Sequence, residues 1–387
     1  MSGSASTRLH VVDALRGFAI LSIMLLHNIE HFDFYFSPTN LPAWMPAIDK
    51  GIWDTLFFLF GGKSYAIFAL LFGLTFFIQS DNQAQKGNDF RGRFAWRLLL
   101  LLGFGILNSA FFEGDILTIY ALIGFSLIPV AKLSNRVVFS IAIILMLQPV
   151  EWLNVLNGWQ HPGIKMANPA SWAYFSKLGG YIPGDSILKT LIGNLTNGKT
   201  AVLLWTWEAG RVFQTAALFM LGMLAGRKKL FVQSASSNRF WVITLITSTV
   251  AFIPLYIVKN GLPVWVLSEA IRRPLITIVT SWSNMAFMLV LVSGFAISFW
   301  KLSGRVLNIL IPFGKMSLSN YMMQSILGSI IYYGFGFGLY KYTGAFYCLL
   351  IGLALAAFQW FFCSWWLKTR KYGPLEGIWH KLTWIHS

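Results

Sequence analysis

The first apolar stretch carries the residues best suited to chemistry. It reads Val12-Asp13-Ala14-Leu15-Arg16-Gly17-Phe18 and continues to Leu26-His27-Asn28-Ile29-Glu30-His31. At about 100° per residue, Asp13, Arg16, Ile20, Met24, His27 and His31 share one helical face. Arg16 and His27 stand roughly 16 Å apart along the axis. An imidazole suits general-base work near neutral pH, and a guanidinium suits phosphate. A phosphate-bearing donor would dock at Arg16 and extend toward His27. A purely structural account fits the same spacing: Asp13 and Arg16 would form an i,i+3 pair, and His27 would bond across helices.

Ionisable groups inside a bilayer are costly, so each further one is a candidate. Lys63 falls within an apolar run, either paired with Asp54 or snorkelling at a kink. Glu113-Gly114-Asp115 forms a tight turn in which Asp115 would cap the next helix. Glu208 and Arg211 are spaced i,i+3 for an ion pair. Arg211 would instead hold an anion if it faced a cavity. Asn320, Tyr321, Gln324 and Ser325 give a polar face, suited either to a reacting carbonyl or to interhelical hydrogen bonding. No metal-ligand spacing is present. Cys348 and Cys363 read as small core residues.

The elements that must position these groups are membrane helices. The 387 residues are 56% hydrophobic and 11% charged, against roughly 25% charged in soluble domains. The mean hydropathy is +0.62. Apolar runs long enough to span recur along the chain, at about 11–30, 52–79, 94–112, 115–132, 137–155, 201–226, 240–258, 276–300, 306–335 and 344–368. The expected fold is therefore all-α, a polytopic transmembrane bundle of about ten spans. Two long runs would be kinked or broken, one at Gly61-Gly62-Lys63 and the other at Pro312 and Gly314.

Basic residues concentrate in alternate loops: Lys86, Arg91, Arg93 and Arg97, then Lys132 and Arg136, then Arg227, Lys228, Lys229 and Arg239, then Lys301 and Arg305, then Lys368, Arg370, Lys371 and Lys381. The intervening short loops carry Glu30, Asp33 and Asp49 against Lys50, then Glu113 and Asp115, then Lys341; the 259–273 loop, with Lys259, Arg272 and Arg273 against Glu269, breaks the pattern. This bias places both termini in the cytoplasm. Residues 1–387 form one integral membrane domain. Within it, 156–200 is an outer-surface loop with short interfacial helices, marked by Trp159, Trp172, Tyr174 and Tyr181, and 369–387 is a cytoplasmic tail. The first span lacks a small-residue cleavage site and reads as a retained helix. The net charge of +16 is scattered over short loops, which fits contact with the bilayer and argues against nucleic acid.

Several motifs, in order along nearly the whole chain, resemble a bacterial membrane-protein family, domain of unknown function 418. They are Asp13-Ala14-Leu15-Arg16-Gly17-Phe18-Ala19, Lys63-Ser64-Tyr65 with Leu70-Leu71-Phe72-Gly73, and Gly114-Asp115-Ile116-Leu117 with Tyr120-Ala121. Then come Gly222-Met223-Leu224-Ala225-Gly226-Arg227, Gly314-Lys315-Met316-Ser317-Leu318-Ser319-Asn320-Tyr321 with Gln324-Ser325, and Gly373-Pro374-Leu375-Glu376. That family is similar to the transmembrane acyltransferases, which include bacterial sugar O-acetyltransferases and the lysosomal heparan glucosaminide acetyltransferase. The resemblance implies a bacterial inner-membrane protein that moves an acyl group from cytoplasmic acyl-coenzyme A to a saccharide or other envelope acceptor. The O-acetyltransferases carry an Arg and a His with ten residues between them in the first helix, and Arg16 and His27 match that spacing. His380 stands where the terminal motif usually has Arg. On this basis the candidate catalytic set is His27, Asp13, Tyr321, Asn320 and Gln324, and the candidate donor-binding cations are Arg16, Lys63 and Arg211. The competing expectation is a transporter or lipid-handling protein without covalent chemistry, in which the same groups line a passage.

Overall fold

The computed structural model describes residues 9–32, 36–163, 165–302 and 306–385, which form helices and no strand. Residues 1–8 of the expected single domain and 386–387 of the expected tail lie outside the described residues. In chain order the helices are α1 (His10–Ile29), α2 (Met45–Phe60), α3 (Ser64–Ala84), α4 (Arg91–Phe111), α5 (Leu117–Gly124), α6 (Leu127–Val130), α7 (Asn135–Met146), α8 (Pro149–Gln160) and α9 (Ala170–Phe175). They continue with α10 (Ile187–Gly193), α11 (Lys199–Glu208), α12 (Arg211–Arg227), α13 (Ala235–Trp265), α14 (Glu269–Lys301), α15 (Ile311–Lys315), α16 (Ser317–Tyr332), α17 (Ala345–Thr369) and α18 (Pro374–Thr383).

Among the described residues, seven helical segments are long and apolar enough to cross a membrane: His10–Ile29, Met45–Ala84, Arg91–Phe111, Asn135–Gln160, Ala235–Trp265, Glu269–Lys301 and Ala345–Thr369. An eighth arises if Ile187–Glu208 and Arg211–Arg227, bent by 73° at their break, count as one span. The protein is a multi-pass helical membrane protein. The lipid solvent is plainest at α13, where Ile246, Val250, Ile253 and Ile257 are 55–64% exposed in one apolar stripe; in water such a stripe would be an association site.

Two of the ten expected runs are shorter than a full span. The 115–132 run divides into α5 and α6, and 306–335 divides into α15 and α16. The breaks expected at Gly61-Gly62-Lys63 and near Pro312 and Gly314 are present, separating α2 from α3 and α15 from α16.

Small residues set the closest helix contacts, as they do where no hydrophobic force drives helix association. An added Cβ on Gly314 of α15 would overlap the Asp13 carbonyl of α1, and one on Gly222 of α12 would overlap the Leu70 carbonyl of α3. At these crossings backbone meets backbone. The Gly314 crossing fixes the height of α1 against α15, and so the depth of Arg16 and His27. Both described ends of the chain lie at one end of the bundle, because α18 packs on α4 and α16 beside the start of α1. That end is called proximal below, and the opposite end distal.

Candidate active site

Two cavities open along α1, one toward each end. The proximal cavity encloses about 300 Å³, and its wall includes Arg16, Thr75, Arg97, Lys315, Glu376 and His380. Arg16 Nη1 stands 3.1 Å from Asp13 Oδ1, and Nη2 donates to Thr75 Oγ1 at 3.0 Å. The Arg97 guanidinium lies 4.2 Å from the Trp379 ring centroid and donates to Thr383 Oγ1 at 3.2 Å.

Helix α18 covers this cavity, and Glu376 pins it in place. Its Oε1 accepts from the backbone N–H groups of Leu318 and Ser319 at 2.8 and 3.0 Å, and Oε2 accepts from Ser319 Oγ at 2.5 Å. These are first-turn amides of α16, which a carboxylate satisfies well. Burial nonetheless raises the Glu376 pKa above its ordinary value, against the pull of those donors. Burial lowers that of His380, and the nearby charges of Arg97 and Lys371 add to the effect.

The distal cavity is larger, about 650 Å³, and its wall holds His27, Glu30, Tyr65, Trp172, Trp205 and Arg211 among others. His27 Nδ1 lies 3.2 Å from Glu30 Oε2, and the imidazole packs edge-on against Phe112 with centroids 4.5 Å apart. A carboxylate at Nδ1 fixes the tautomer that leaves Nε2 as the basic nitrogen. Trp172 of α9 is 56% exposed and forms part of the rim. Helix α9 is held there because Ser171 donates to both carboxylate oxygens of Glu208, through its N–H at 3.3 Å and its Oγ at 2.5 Å.

Ile23, Ile116 and Tyr321 border both cavities. The Tyr321 hydroxyl accepts from the Ile116 N–H at 3.1 Å, which aims the hydroxyl into the seam between them.

Residues 225–386 match the family model described as Protein of unknown function (DUF418). The matched stretch contains Gly314, the polar face of α16 and the Gly373-Pro374-Leu375-Glu376 motif, so the resemblance read from those motifs is borne out. Similarity also extends over nearly the whole chain. It is 27% identical to "Uncharacterized protein YxaH" of Bacillus subtilis, over 98% of this chain and 94% of that one. It is 27% identical to "Uncharacterized protein YeiB" of Escherichia coli, over 96% and 95%. To "Uncharacterized 39.9 kDa protein in amylase 3'region" of Bacillus acidopullulyticus it is 24% identical, over 97% and 94%.

Set beside the DUF418 motifs, the sequence candidates divide three ways. Arg16, His27, Arg211 and Tyr321 line cavities. Asp13 pairs with Arg16, as the structural account expected, but Arg16 still reaches the proximal wall. Asp13 borders neither cavity and stands about 21 Å from His27 along α1. It is a positioning group for Arg16.

Asn320 also borders neither cavity. It donates to the Phe313 carbonyl at 3.2 Å and accepts from Cys363 Sγ at 3.2 Å, so it ties α16 to α15 and α17. Gln324 is fully buried, and neither atom of its amide has a hydrogen-bond partner among the described residues. Such a group calls for a water or ligand.

Lys63 sits at the α2–α3 break outside both walls. Its Nζ lies 5.9 and 5.6 Å from the Phe58 and Phe287 centroids, and Asp54 pairs with Lys50 instead. Asp115 caps α5 by accepting from the Thr118 N–H and Oγ1 at 2.9 and 2.8 Å, and it also pairs with Lys199 at 3.2 Å.

The expected stripe on α1 ends at His27. The helix stops at Ile29, and His31 and Phe32 take left-handed backbone angles, φ 51° and 55°. The turn swings His31 away to Thr343, whose carbonyl is 2.8 Å from Nε2. Glu30, read from the sequence only as a loop charge, is the acidic partner of His27. The i,i+3 spacing was the signal that pointed to it. Arg97 and Glu376 were read only as a loop cation and a motif residue.

Proposed function

We propose that this protein transfers an acyl group between two substrates that meet across the Tyr321 seam. The donor would be a cytoplasmic acyl-coenzyme A thioester in the proximal cavity, and the acceptor an envelope hydroxyl compound in the distal one. The single observation that carries this reading is a carboxylate-oriented histidine on one cavity wall and a cation-rich second cavity, with a shared border between them.

On this reading His27 Nε2 takes the proton from the acceptor hydroxyl as its oxygen attacks the thioester carbonyl. The tetrahedral intermediate expels the thiolate, the imidazolium returns the proton to sulfur, and an ester and a free thiol leave. Glu30 stabilises the imidazolium. The Tyr321 hydroxyl would donate to the carbonyl oxygen as negative charge develops. Arg16, Arg97 and Lys315 would neutralise donor phosphates. The buried Gln324 amide, one turn beyond Tyr321, borders neither cavity and is given no part in this step. The proximal end would face the cytoplasm of a bacterial inner membrane, which agrees with the positive-inside bias.

The test is transfer of radiolabelled acyl groups from acyl-coenzyme A by the purified full chain, comparing wild type with His27→Ala and Glu30→Gln. Labelling of acceptor or protein that is unchanged by both substitutions would end the proposal.

A second reading is favoured by the broken helices at α2–α3, α11–α12 and α15–α16, since discontinuous helices build transporter sites. In that case substrate flux into proteoliposomes would continue in His27→Ala with no label transferred.

A further inference from the structure

The proposed transfer leaves one cation of the distal wall without a task. Arg211 begins α12, directly after the break at Gly210. Its guanidinium lies between two aromatic rings, 4.4 Å from the Tyr65 centroid and 4.0 Å from that of Trp205. No carboxylate among the described residues pairs with it. Glu208, the acid its spacing suggested, is turned to Ser171. The ring faces stabilise the positive charge, but they supply no acceptor for five N–H donors.

The cradle is also rigid. The Tyr65 hydroxyl donates to Gln214 Oε1, and Gln214 Nε2 donates to the Ser281 carbonyl at 2.9 Å. Gln148 Nε2 donates to the Gly210 carbonyl at 2.9 Å and fixes the break itself. Gly210 has φ 66°, a backbone shape that favours glycine.

We propose that the distal cavity holds the anionic group of its ligand, a carboxylate or a phosphate, on Arg211 between Tyr65 and Trp205. Its identity as the acyl acceptor rests on the transfer reading; anion binding does not. A planar guanidinium with no carboxylate partner among the described residues, partly withdrawn from water, binds such groups with short charge-assisted hydrogen bonds. The flanking aromatic rings suit the apolar face of a sugar ring beside the anion. An acidic saccharide and an anionic lipid headgroup share this chemistry, and experiment separates them.

The full-length protein is placed in phosphatidylcholine nanodiscs and titrated with p-nitrophenyl glucuronide and p-nitrophenyl glucoside, which differ only in the carboxylate. The expected result is glucuronide binding about tenfold tighter. That preference is lost in Arg211→Gln and partly kept in Arg211→Lys. In a second arm, phosphatidylglycerol is added to the discs and the melting temperature is read. A gain confined to Arg211-containing protein, without glycoside preference, assigns the anion to a lipid headgroup. If wild type neither discriminates between the glycosides nor gains more from phosphatidylglycerol than Arg211→Gln does, the proposal is overturned. If Arg211→Gln fails to fold, the wild-type preferences must fall as inorganic sulfate is added, and preferences indifferent to sulfate overturn it as well. Anion preference in the wild-type protein with no label transferred from acyl-coenzyme A would remove the transfer reading and leave this one standing.

Discussion

Around Arg16 the cavity wall gathers further basic groups, Arg97, Lys315 and His380, under a tail helix pinned by Glu376. Both walls carry many aromatic rings, but around His27 the wall has Arg211 as its one Lys or Arg among the described residues. The proximal cavity has the charge to bind a ligand with several phosphates. The distal one has a single guanidinium and a histidine whose basicity a carboxylate controls. One helix, α1, supplies a key residue to each, so a 20-residue element sets the distance between two environments. On the transfer reading, the contrast teaches that position along one membrane helix separates ligand holding from proton transfer, and each can then be disabled alone.

The sharpest way to break the comparison is at the base. His27→Ala is expected to lower acyl transfer by about a hundred- to ten-thousandfold, the usual contribution of general-base catalysis, while donor affinity stays unchanged in equilibrium binding. Donor affinity falling in step with rate would merge the two cavities into one site.

Next comes the cation at the other end of α1. Arg16→Ala removes a charge-assisted contact worth about 1.5–3 kcal/mol, roughly ten- to a hundredfold in donor Kd. Binding of p-nitrophenyl glucuronide should not move. An equal loss for both ligands would mean that the substitution damages the fold instead.

A comparable or smaller effect is expected from the crossing that sets the depth of α1. Gly314→Ala forces a Cβ against the Asp13 carbonyl, and overpacking of this kind costs about 1–3 kcal/mol. The melting temperature in detergent should drop, whereas Gly103→Ala, which has open space around it, should leave it nearly unchanged. Equal melting points for the two variants would show that the crossing is not tight.

The smallest effect concerns the tail helix. Burial raises the Glu376 pKa from its ordinary 4.5, so docked α18 holds a proton more firmly than undocked α18. Docking is therefore firmest below pH 4.5 and weakens as pH rises through the raised value. A fluorophore on Lys381→Cys should report progressive release of α18 over that window, and Glu376→Gln should flatten the profile. The same pH dependence in Glu376→Gln would remove Glu376 as its source.

How much of this was legible beforehand follows from the range of each interaction. Breaks at Gly61-Gly62 and Pro312 were legible because glycine and proline act on their own backbone. The Arg16–Asp13 pair and the Asp115 cap were legible because both partners lie within one turn. Of the two readings of Lys63, the pair with Asp54 fails, because Lys50 lies one turn from Asp54 and takes that place, whereas Lys63 sits at the helix break. His31 was placed with His27 because helical phase was carried past Ile29, where the backbone turns left-handed.

The sequence by itself determined the solvent and the elements: few charges and continuous apolar runs of about 20 residues demand a helical bundle in lipid, since a run of that length satisfies its backbone there as a helix. It also determined the spacing of Arg16 and His27, which is a property of one helix. Only the tertiary structure decided that these residues face two different cavities, that Tyr321 stands between them, that α18 closes one, and that Arg211 lies between two rings with no paired acid among the described residues. Those facts depend on helices far apart in the chain, whose relative height and rotation are set by packing, and no local pattern encodes that.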